Sequence, residues 1–356
     1  MLEASMQSER PESDLDPWRF QDEILPQVSR TFALTIPELP AELGLAVGNA
    51  YLLCRIADTI EDDAKLACED KQRFHIEFTR VVDTLAGAAE FAARLAPRLA
   101  SSTSQAERHL VEHTAQVIAV TAALSPRQRT AIARCVRVMC EGMPIFERTA
   151  SSAGVPTQQH LDRYCYFVAG VVGEMLAELF CDHDPAINRQ AANLQRLSVS
   201  FGQGLQMTNI LKDIWEDHAR GVCWLPAEVF ARHGFDLADL ANGSSPTFVN
   251  GLTELIGLAH GHLRNALEFT LLIPGQQTGI RRFCLWSIGL ALLTLRKIQL
   301  NPTFTHSAQI KVSRRAVKAT IVTTNLALAN DDRLRYLFRM MSARFPAPPP
   351  MRETGA

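Results

Sequence analysis

Apolar residues recur along this chain at the spacing of amphipathic helices, and the strict alternation typical of β-strands is rare. Short gaps rich in turn-forming residues, such as Ser125-Pro126 and Pro274-Gly275, separate the helical stretches. Those stretches are residues 40–61, 71–95, 105–124, 127–146, 160–180, 191–217, 248–272, 278–300 and 310–344. The pattern predicts one all-α catalytic domain over residues 1–356, with a central cavity between helices and flexible segments at about 1–15 and 346–356.

The best candidate for a membrane-spanning segment is the thirteen-residue run 283–295, which Arg282 and Arg296 bracket. A membrane-spanning helix needs about 20 apolar residues, so this shorter run predicts a buried core helix. The first thirty residues are polar and acidic and contain no apolar signal segment. We therefore expect a cytoplasmic protein, with peripheral contact to the inner membrane as an open alternative.

The overall charge of the chain limits the classes of ligand that we expect it to bind. The chain has 36 Lys and Arg against 38 Asp and Glu, a formal net charge of −2, and no long run of one sign. Nucleic-acid binding needs a basic surface, so we expect no nucleic-acid partner, whereas a small phosphorylated molecule needs only a few cations. The eight cysteines form no C-x-x-C pair, which favours reduced, buried thiols.

An acidic motif closes the first long helical stretch. Asp58, Glu61 and Asp62 follow residues 51–57, which are apolar around most of the predicted helix. Positions i, i+3 and i+4 lie on one helix face, so the three carboxylates are close together. Mg²⁺ would neutralise them and typically bridges carboxylates to substrate phosphates. A solvated helix end with incidental acidic residues is the alternative for this motif alone.

A second motif repeats this spacing about 150 residues later. Asp213, Glu216 and Asp217 follow another apolar and small-residue stretch, residues 201–208. Two acidic helix faces that oppose each other across a cavity would hold several Mg²⁺ ions on diphosphate groups. The repetition favours a paired metal site over coincidence.

Several cations are candidates for diphosphate contacts, because guanidinium and ammonium groups pair with phosphate oxygens. Arg55 lies one turn before Asp58 in an apolar context, so it faces either the ligand or an acidic partner such as Asp58 or Asp62. Gly170 and Gly173 remove side chains from one face of another predicted helix. Close packing of a neighbouring helix explains that pair better than admission of a ligand does.

Four segments together resemble the squalene/phytoene synthase family. They are SRTF at 29–32, YLLCRIADTIEDD at 51–63, YCYFVAGVVG at 164–173 and QMTNILKDIWED at 206–217. Their order and separations are also similar to those of the family, and the resemblance covers about residues 20–320. It implies a prenyltransferase with the helical bundle of isoprenoid synthases, closest to the soluble bacterial type of the squalene synthase branch.

The resemblance also implies roles for individual residues. It places Mg²⁺ binding on Asp58, Glu61, Asp62, Asn209, Asp213, Glu216 and Asp217. Catalytic roles fall on Tyr164, which would assist proton removal, and on Arg55, Asp58, Asp62, Asp213 and Asp217. Substrate contacts fall on Ser29, Arg30, Phe32, Tyr51, Val168, Gly170, Gln206, Asn209, Lys212, Arg220, Phe283 and Cys284. Contacts with NADPH fall on Asn301, Lys311, Arg314 and Arg315.

The activity implied is a Mg²⁺-dependent head-to-head condensation of two farnesyl diphosphates. Presqualene diphosphate would form first, and NADPH would then reduce it to squalene for sterol or hopanoid biosynthesis. The nearest alternative is a dehydrosqualene- or phytoene-type synthase that omits NADPH. A terpene cyclase and a catalytically inactive helical scaffold are more distant alternatives. The sequence leaves chain-length selectivity and oligomeric state open.

Overall fold

The computed structural model describes residues 16–29, 31–149, 151–242 and 245–348. Within these ranges the chain forms helices joined by short turns, and its β structure is limited to one parallel bridge between Val155 and Pro226. The α-helices are α1 (Pro17–Val28), α2 (Phe32–Thr35), α3 (Ala41–Asp62), α4 (Cys68–Thr84), α5 (Ala88–Leu95), α6 (Gln105–Glu112), α7 (Thr114–Ala123), α8 (Pro126–Glu147), α9 (Gln158–Cys165), α10 (Val171–His183), α11 (Pro185–Asn188), α12 (Ala191–Lys212), α13 (Ile214–Ala219), α14 (Ala227–Arg232), α15 (Pro246–Leu271), α16 (Thr278–Leu300), α17 (Arg314–Ala327) and α18 (Asp331–Ser342). The all-α prediction is confirmed.

Helix α3 lies in the core and brings the first acidic motif to its C-terminal end. It packs against α1, α4, α6, α7, α8 and α10, and most of its side chains are buried. The buried amide of Asn49 donates to the carbonyl of Val117 at 2.9 Å and accepts from the Thr121 hydroxyl at 2.8 Å. These bonds satisfy a polar group that would otherwise be costly to bury, and they fix α3 against α7.

Asp63 ends α3 and anchors the segment that follows. Its buried carboxylate accepts the backbone N–H groups of Lys65, Leu66 and Ala100 and the hydroxyl of Thr103, at 2.7–3.0 Å. Burial alone would raise the pKa of Asp63, but these hydrogen bonds hold it below its usual value. Asp63 therefore has a structural partner for each oxygen, in contrast to the acidic residues that precede it.

Helix α12 leads directly into the second acidic motif, which begins at Asp213, and it packs extensively against α15 and α10. Glycines allow the close approach to α10 and to the turn before it. A Cβ on Gly202 would lie 1.9 Å from the carbonyl oxygen of Ala169, and one on Gly173 would lie 2.0 Å from that of Ser198. The packing interpretation of Gly173 is confirmed.

A π-helical turn, Tyr166–Gly170, interrupts the long helix formed by α9 and α10. Such turns insert an extra residue into a helix and often occur at functional sites. Val168 and Ala169 of this turn line the main cavity of the protein. The extra residue thus changes the directions of the backbone carbonyls and side chains at the place where α10 packs against α12.

The structure divides several stretches that the sequence analysis treated as continuous. Residues 71–95 break at Leu85 and Gly87, both of which have positive φ. Residues 105–124 break at His113, residues 191–217 break at Asp213, and residues 310–344 form α17 and α18. Each break needs a backbone change at only one or two residues. The spacing of apolar residues continues across such a change, so it does not reveal the break.

Three helical segments among the described residues are long and apolar enough to cross a membrane, on length and composition alone. They are Ala41–Asp62, Gln158–His183 and Thr278–Leu300. The apolar run 283–295 alone is too short to span a membrane, but the whole of α16, which coincides with the predicted stretch 278–300, is long enough. In this fold the apolar windows of all three are more than half buried inside the protein.

Replacement of Gly173 by Ala tests the close helix packing. The new methyl group would meet the Ser198 carbonyl, so α10 and α12 must separate, and we expect a loss of about 3 kcal/mol in the free energy of unfolding. Denaturant unfolding of the purified variants measures this. Gly44→Ala is the matched control, because its nearest contact would be an ordinary 3.5 Å and alanine favours helices. Equal stability of the two variants would contradict the packing argument.

Candidate active site

A cavity of about 660 Å³ lies between α3, the π turn, α10, α12 and α16. Seven carboxylates line it: three from the first acidic motif (Asp58, Glu61 and Asp62), two from the second (Asp213 and Asp217), and Asp63 and Glu147. Most of the remaining wall is apolar or aromatic and includes Phe32, Ile36, Val47, Tyr51, Met139, Val168, Met175, Leu176, Phe201, Leu205, Trp224 and Phe283. The volume falls within the range of about 300–1,000 Å³ that is usual for small-molecule sites.

Arg220 joins the two acidic motifs across this cavity. One guanidinium nitrogen lies 3.2 Å from the Asp62 carboxylate on α3, and the other lies 2.5 Å from Asp217 on α13. Two motifs that are far apart in sequence therefore face each other within the reach of a single side chain. The guanidinium occupies the position between carboxylates that a cation favours.

The other cations around the cavity also have acidic partners. Arg55 forms a short ion pair with Glu107 of α6 and lies 4.0 Å from Asp58, so its main partner is one that the sequence analysis did not identify. Lys212 pairs with Asp213 at 3.0 Å. Among the described residues, Asp58 has no closer ion pair than that 4.0 Å contact.

The positive charge of these cations therefore does not balance the negative charge of the two acidic motifs. Burial raises the pKa of Asp58 to about 7, an effect that Arg55 opposes and Asp62 increases. Burial, then Asp62, raises the pKa of Glu61. Burial also raises the pKa values of Asp213 and Asp217, against the opposing charges of Lys212 and Arg220 respectively. Without a further cation, burial penalises the charged forms of these four carboxylates.

The donor set fits hard divalent cations. Oxygen atoms of carboxylates from two opposed helices, together with the Asn209 amide, are the ligand type that Mg²⁺ prefers. One oxygen of Glu61 is buried and has no hydrogen-bond partner among the described residues. A buried carboxylate oxygen without a donor is costly, and a metal ion would remove that cost.

Tyr164 lines the cavity beside the first acidic motif. Its ring stacks on Trp224, with 3.7 Å between ring centroids and an interplanar angle of 6°. Burial, and then the charge of Glu61, raises the pKa of the phenol, so its O–H keeps its proton. Trp224 belongs to the segment after α13, and hydrophobic spacing gave no sign that it would contact Tyr164.

Lys71 is a second residue that sequence reasoning missed. This buried lysine of α4 pairs with Glu147 of α8, and its ammonium donates to the backbone carbonyl of Glu61 at 2.6 Å. It therefore holds the last turn of α3, and with it the first acidic motif, against two neighbouring helices. Long-range partners of this kind leave no local pattern in the sequence.

Two of the predicted substrate contacts, Cys284 and Gly170, lie outside the cavity wall. Cys284 is completely buried behind it, and burial raises its thiol pKa to about 12. Gly170 faces Tyr166 and Val199, whereas Gly173 and not Gly170 reaches the cavity.

Glu216 also departs from the predicted arrangement. The break at Asp213 separates α12 from α13, and the Glu216 carboxylate turns towards Ser307, whose backbone N–H donates to it at 3.0 Å. Burial favours the neutral form, but the hydrogen bonds from Ser307 hold the pKa of Glu216 below its usual value. Its other oxygen is buried without a hydrogen-bond partner among the described residues.

The N-terminal substrate contacts surround one edge of the cavity. The Ser29 hydroxyl accepts the backbone N–H of Phe32 at 2.9 Å, and the Tyr51 hydroxyl donates to the carbonyl of Val28 at 3.0 Å. Phe32 and Tyr51 line the cavity, as do Gln206 and Asn209, whereas Ser29 shapes the turn beside it. Arg30 lies outside the described residues.

A second cavity of about 410 Å³ adjoins the first. The two share Phe32, Leu205, Asn209 and Lys212 as wall residues, and Lys311 lines the second. Asn301 ends α16, and Arg314 and Arg315 are exposed in the first turn of α17, so these three do not line either cavity.

A family model described as squalene/phytoene synthase matches residues 25–316. The chain belongs to that family. It is 32% identical to a squalene synthase of Botryococcus braunii over 85% of this chain and 64% of that protein. It is 30% identical to a squalene synthase of Gibberella zeae over 82% of this chain and 59% of that protein. The chain thus spans about three fifths of the length of these curated relatives.

Solved structures of this family have the same fold. A squalene synthase in complex with a ligand named E5700 matches with a TM-score of 0.75 and 24% identity, over 93% of each chain. A dehydrosqualene synthase matches with a TM-score of 0.63 and 19% identity, over 90% of this chain and 96% of the other. These matches show the all-α isoprenoid synthase fold that the sequence analysis predicted.

Asp58→Asn tests the charge imbalance in protein freed of metal with EDTA. A raised pKa in the folded state means that folding binds a proton, so the free energy of unfolding falls as pH rises from the unfolded value of about 4 to about 7. Asn cannot ionise, so the variant should gain about 2–4 °C in Tm over the wild type at pH 8 and less at pH 5. Differential scanning calorimetry measures both values.

The control for this experiment is Asp70→Asn, which removes a half-buried carboxylate of α4 that pairs with Arg73 outside the cavity. Its Tm difference from the wild type should be the same at both pH values. A difference for Asp58→Asn that does not grow between pH 5 and pH 8 would show that the acidic motif carries no electrostatic penalty.

Proposed function

We propose that this protein is a squalene synthase, which condenses two molecules of farnesyl diphosphate to presqualene diphosphate and reduces that product to squalene with NADPH. The observation that carries the proposal is the pair of acidic motifs, bridged by Arg220, at one side of an apolar cavity. The diphosphate group of an isoprenoid substrate would bind at the acidic motifs through Mg²⁺, and its hydrocarbon chain would bind against the apolar wall. The squalene synthases among the relatives support the same activity.

In this proposal Asp58, Glu61, Asp62, Asp213 and Asp217 hold Mg²⁺, with Asn209 beside the second motif. Mg²⁺ bound there would supply the positive charge that stabilises a departing diphosphate. Arg220 and Arg55 move from their present carboxylate partners towards phosphate oxygens, because guanidinium groups match phosphate bidentately. Lys212 adds a further ammonium at the same side of the cavity.

The rest of the cavity protects the reacting chains. Phe32, Tyr51, Trp224 and Phe283 line it, and aromatic faces stabilise carbocations by cation–π attraction. The apolar wall excludes water, which would otherwise capture an allylic cation. Tyr164 keeps its proton, so its hydroxyl orients a departing diphosphate oxygen, and this oxygen accepts the proton lost on cyclopropane formation.

The second cavity supports the reductive step over the dehydrosqualene- or phytoene-type alternative. It adjoins the first through shared wall residues, and Lys212 and Lys311 place two ammonium groups on its wall. NADPH held there would supply hydride, and these lysines would bind its phosphates. Arg314, Arg315 and Asn301 stay predicted contacts at the outer edge of this region.

We also propose that the chain forms a single domain and is located in the cytoplasm.

The protein would contact a membrane surface peripherally. Apolar side chains are exposed near the end of α16 and on α17 and α18, and they support this contact. They are Leu300, Val322, Leu326, Tyr336 and Met340. Vesicle flotation would detect such binding.

A product assay tests the proposed activity. Purified protein is incubated with farnesyl diphosphate and Mg²⁺, with and without NADPH, and extracted products are identified by mass spectrometry. We expect squalene with NADPH and presqualene diphosphate without it. Asp58→Asn should lower the rate at least about 100-fold through loss of a metal ligand, whereas Asp70→Asn should not change it.

Two results would contradict the proposal in different ways. An unreduced hydrocarbon formed regardless of NADPH would assign the chain to the dehydrosqualene type and remove the reductive step. No consumption of farnesyl diphosphate by a folded, Mg²⁺-supplied protein would reject the condensation itself.

A further inference from the structure

A cluster of three metal-ligating side chains lies outside the cavity, where α6 meets α7. His109, Glu112 and His113 fall at i, i+3 and i+4, so α6 and the residue that ends it bring them to one face. One ring nitrogen of each histidine and one carboxylate oxygen of Glu112 all lie within 4.8 Å of one another. Helical histidines four residues apart are a common way to hold a transition metal.

The histidine rings are already oriented. The Nδ1 of His113 lies 2.9 Å from the carbonyl oxygen of His109, and because a carbonyl only accepts, Nδ1 must carry the proton. In the neutral ring this leaves the Nε2 lone pair available. Ligating histidines usually donate their other N–H in this manner, which fixes the tautomer and the ring orientation.

Phe20 of α1 holds the same rings from the other side. It stacks on His113, with 4.9 Å between ring centroids and an interplanar angle of 23°, and it meets His109 edge-on at 5.6 Å. The two histidine rings are 4.1 Å apart. Glu112 is exposed, His109 is half-buried and His113 is buried, so an ion would enter the cluster from the side of Glu112.

We propose that His109, Glu112 and His113 bind one divalent transition-metal ion, with Zn²⁺ as the representative of its class. Two imidazoles and one carboxylate, with water in the fourth position, form a known type of Zn²⁺ coordination. Donor atoms around tetrahedral Zn²⁺ are about 3.3 Å apart, so side-chain rotations close the cluster onto the ion. Mg²⁺ prefers oxygen donors, and the site is therefore distinct in chemistry from the acidic motifs.

A bound ion would stabilise the last turn of α6. This helix also carries Glu107, the ion-pair partner of Arg55 at the cavity. The cluster thus lies on the helix that holds one of the cavity's cations, although the inference does not depend on the proposed activity.

Isothermal titration of Zn²⁺ tests the proposal. The full chain is used without a histidine tag, stripped with EDTA, dialysed and titrated with excess Mg²⁺ present to occupy the acidic motifs. We expect one equivalent of Zn²⁺ to bind and Tm to rise in its presence. Co²⁺ at the same site should give visible absorption bands that Zn²⁺ abolishes.

The variants decide whether these residues are the ligands. His109→Ala/His113→Ala should lose the equivalent and the Co²⁺ bands, and Glu112→Gln, an exposed change that keeps the fold, should bind at least about tenfold more weakly. His233→Ala is the matched control, because it removes a histidine paired with Glu254 elsewhere and should bind as the wild type does. Unchanged Zn²⁺ binding by folded Glu112→Gln and the double variant, or no saturable binding by the wild type, would overturn the proposal.

Discussion

The structure depends on the burial of like charges at one side of an apolar cavity. The five carboxylates of the two acidic motifs converge there, and the nearby cations already have ion-pair partners. Arg220 pairs with Asp62 and Asp217, and Lys212 pairs with Asp213. The main partner of Arg55 is Glu107. Desolvation penalises each unpaired carboxylate, so the arrangement is unfavourable for folding alone. A protein that keeps it gains a site in which added cations, and the phosphates they bring, are strongly favoured.

The remainder of the fold holds this unfavourable arrangement in place. Asp63 anchors the chain directly after the first motif, and Lys71 fastens the last turn of α3 to α4 and α8. Gly173 and Gly202 let α10 and α12 approach closely enough to form the cavity wall between them. Rigid supports of this kind preorganise ligands, which is what transition-state stabilisation by charge requires.

Hydrophobic spacing and the acidic patterns were sufficient to predict the helices and the pairing of the two motifs. The stretch 278–300 coincides with α16, and both motifs do meet at one cavity. Breaks such as those at His113 and Asp213 were missed, because neither carries a Gly or Pro signal and the apolar period continues across them.

The sequence predicted where the site residues lie better than it predicted which side chains they contact. Glu107, Glu147 and Trp224 contact site residues only through the tertiary fold, and their local sequence gives no sign of it. Cys284 and Gly170 are not among the residues that line the cavity, although Phe283 and Ala169 beside them are.

The most direct test of the account is the location of the metal ions. Crystals grown with Mn²⁺ and an unreactive thio analogue of farnesyl diphosphate would reveal the ions by anomalous scattering. We predict Mn²⁺ coordinated by Asp58 or Asp62 and by Asp213 or Asp217, with the diphosphate between the motifs and Arg220 moved onto it. Ions bound to one motif only, or a diphosphate bound while Arg220 still bridges Asp62 and Asp217, would contradict the claim that the two motifs form one site.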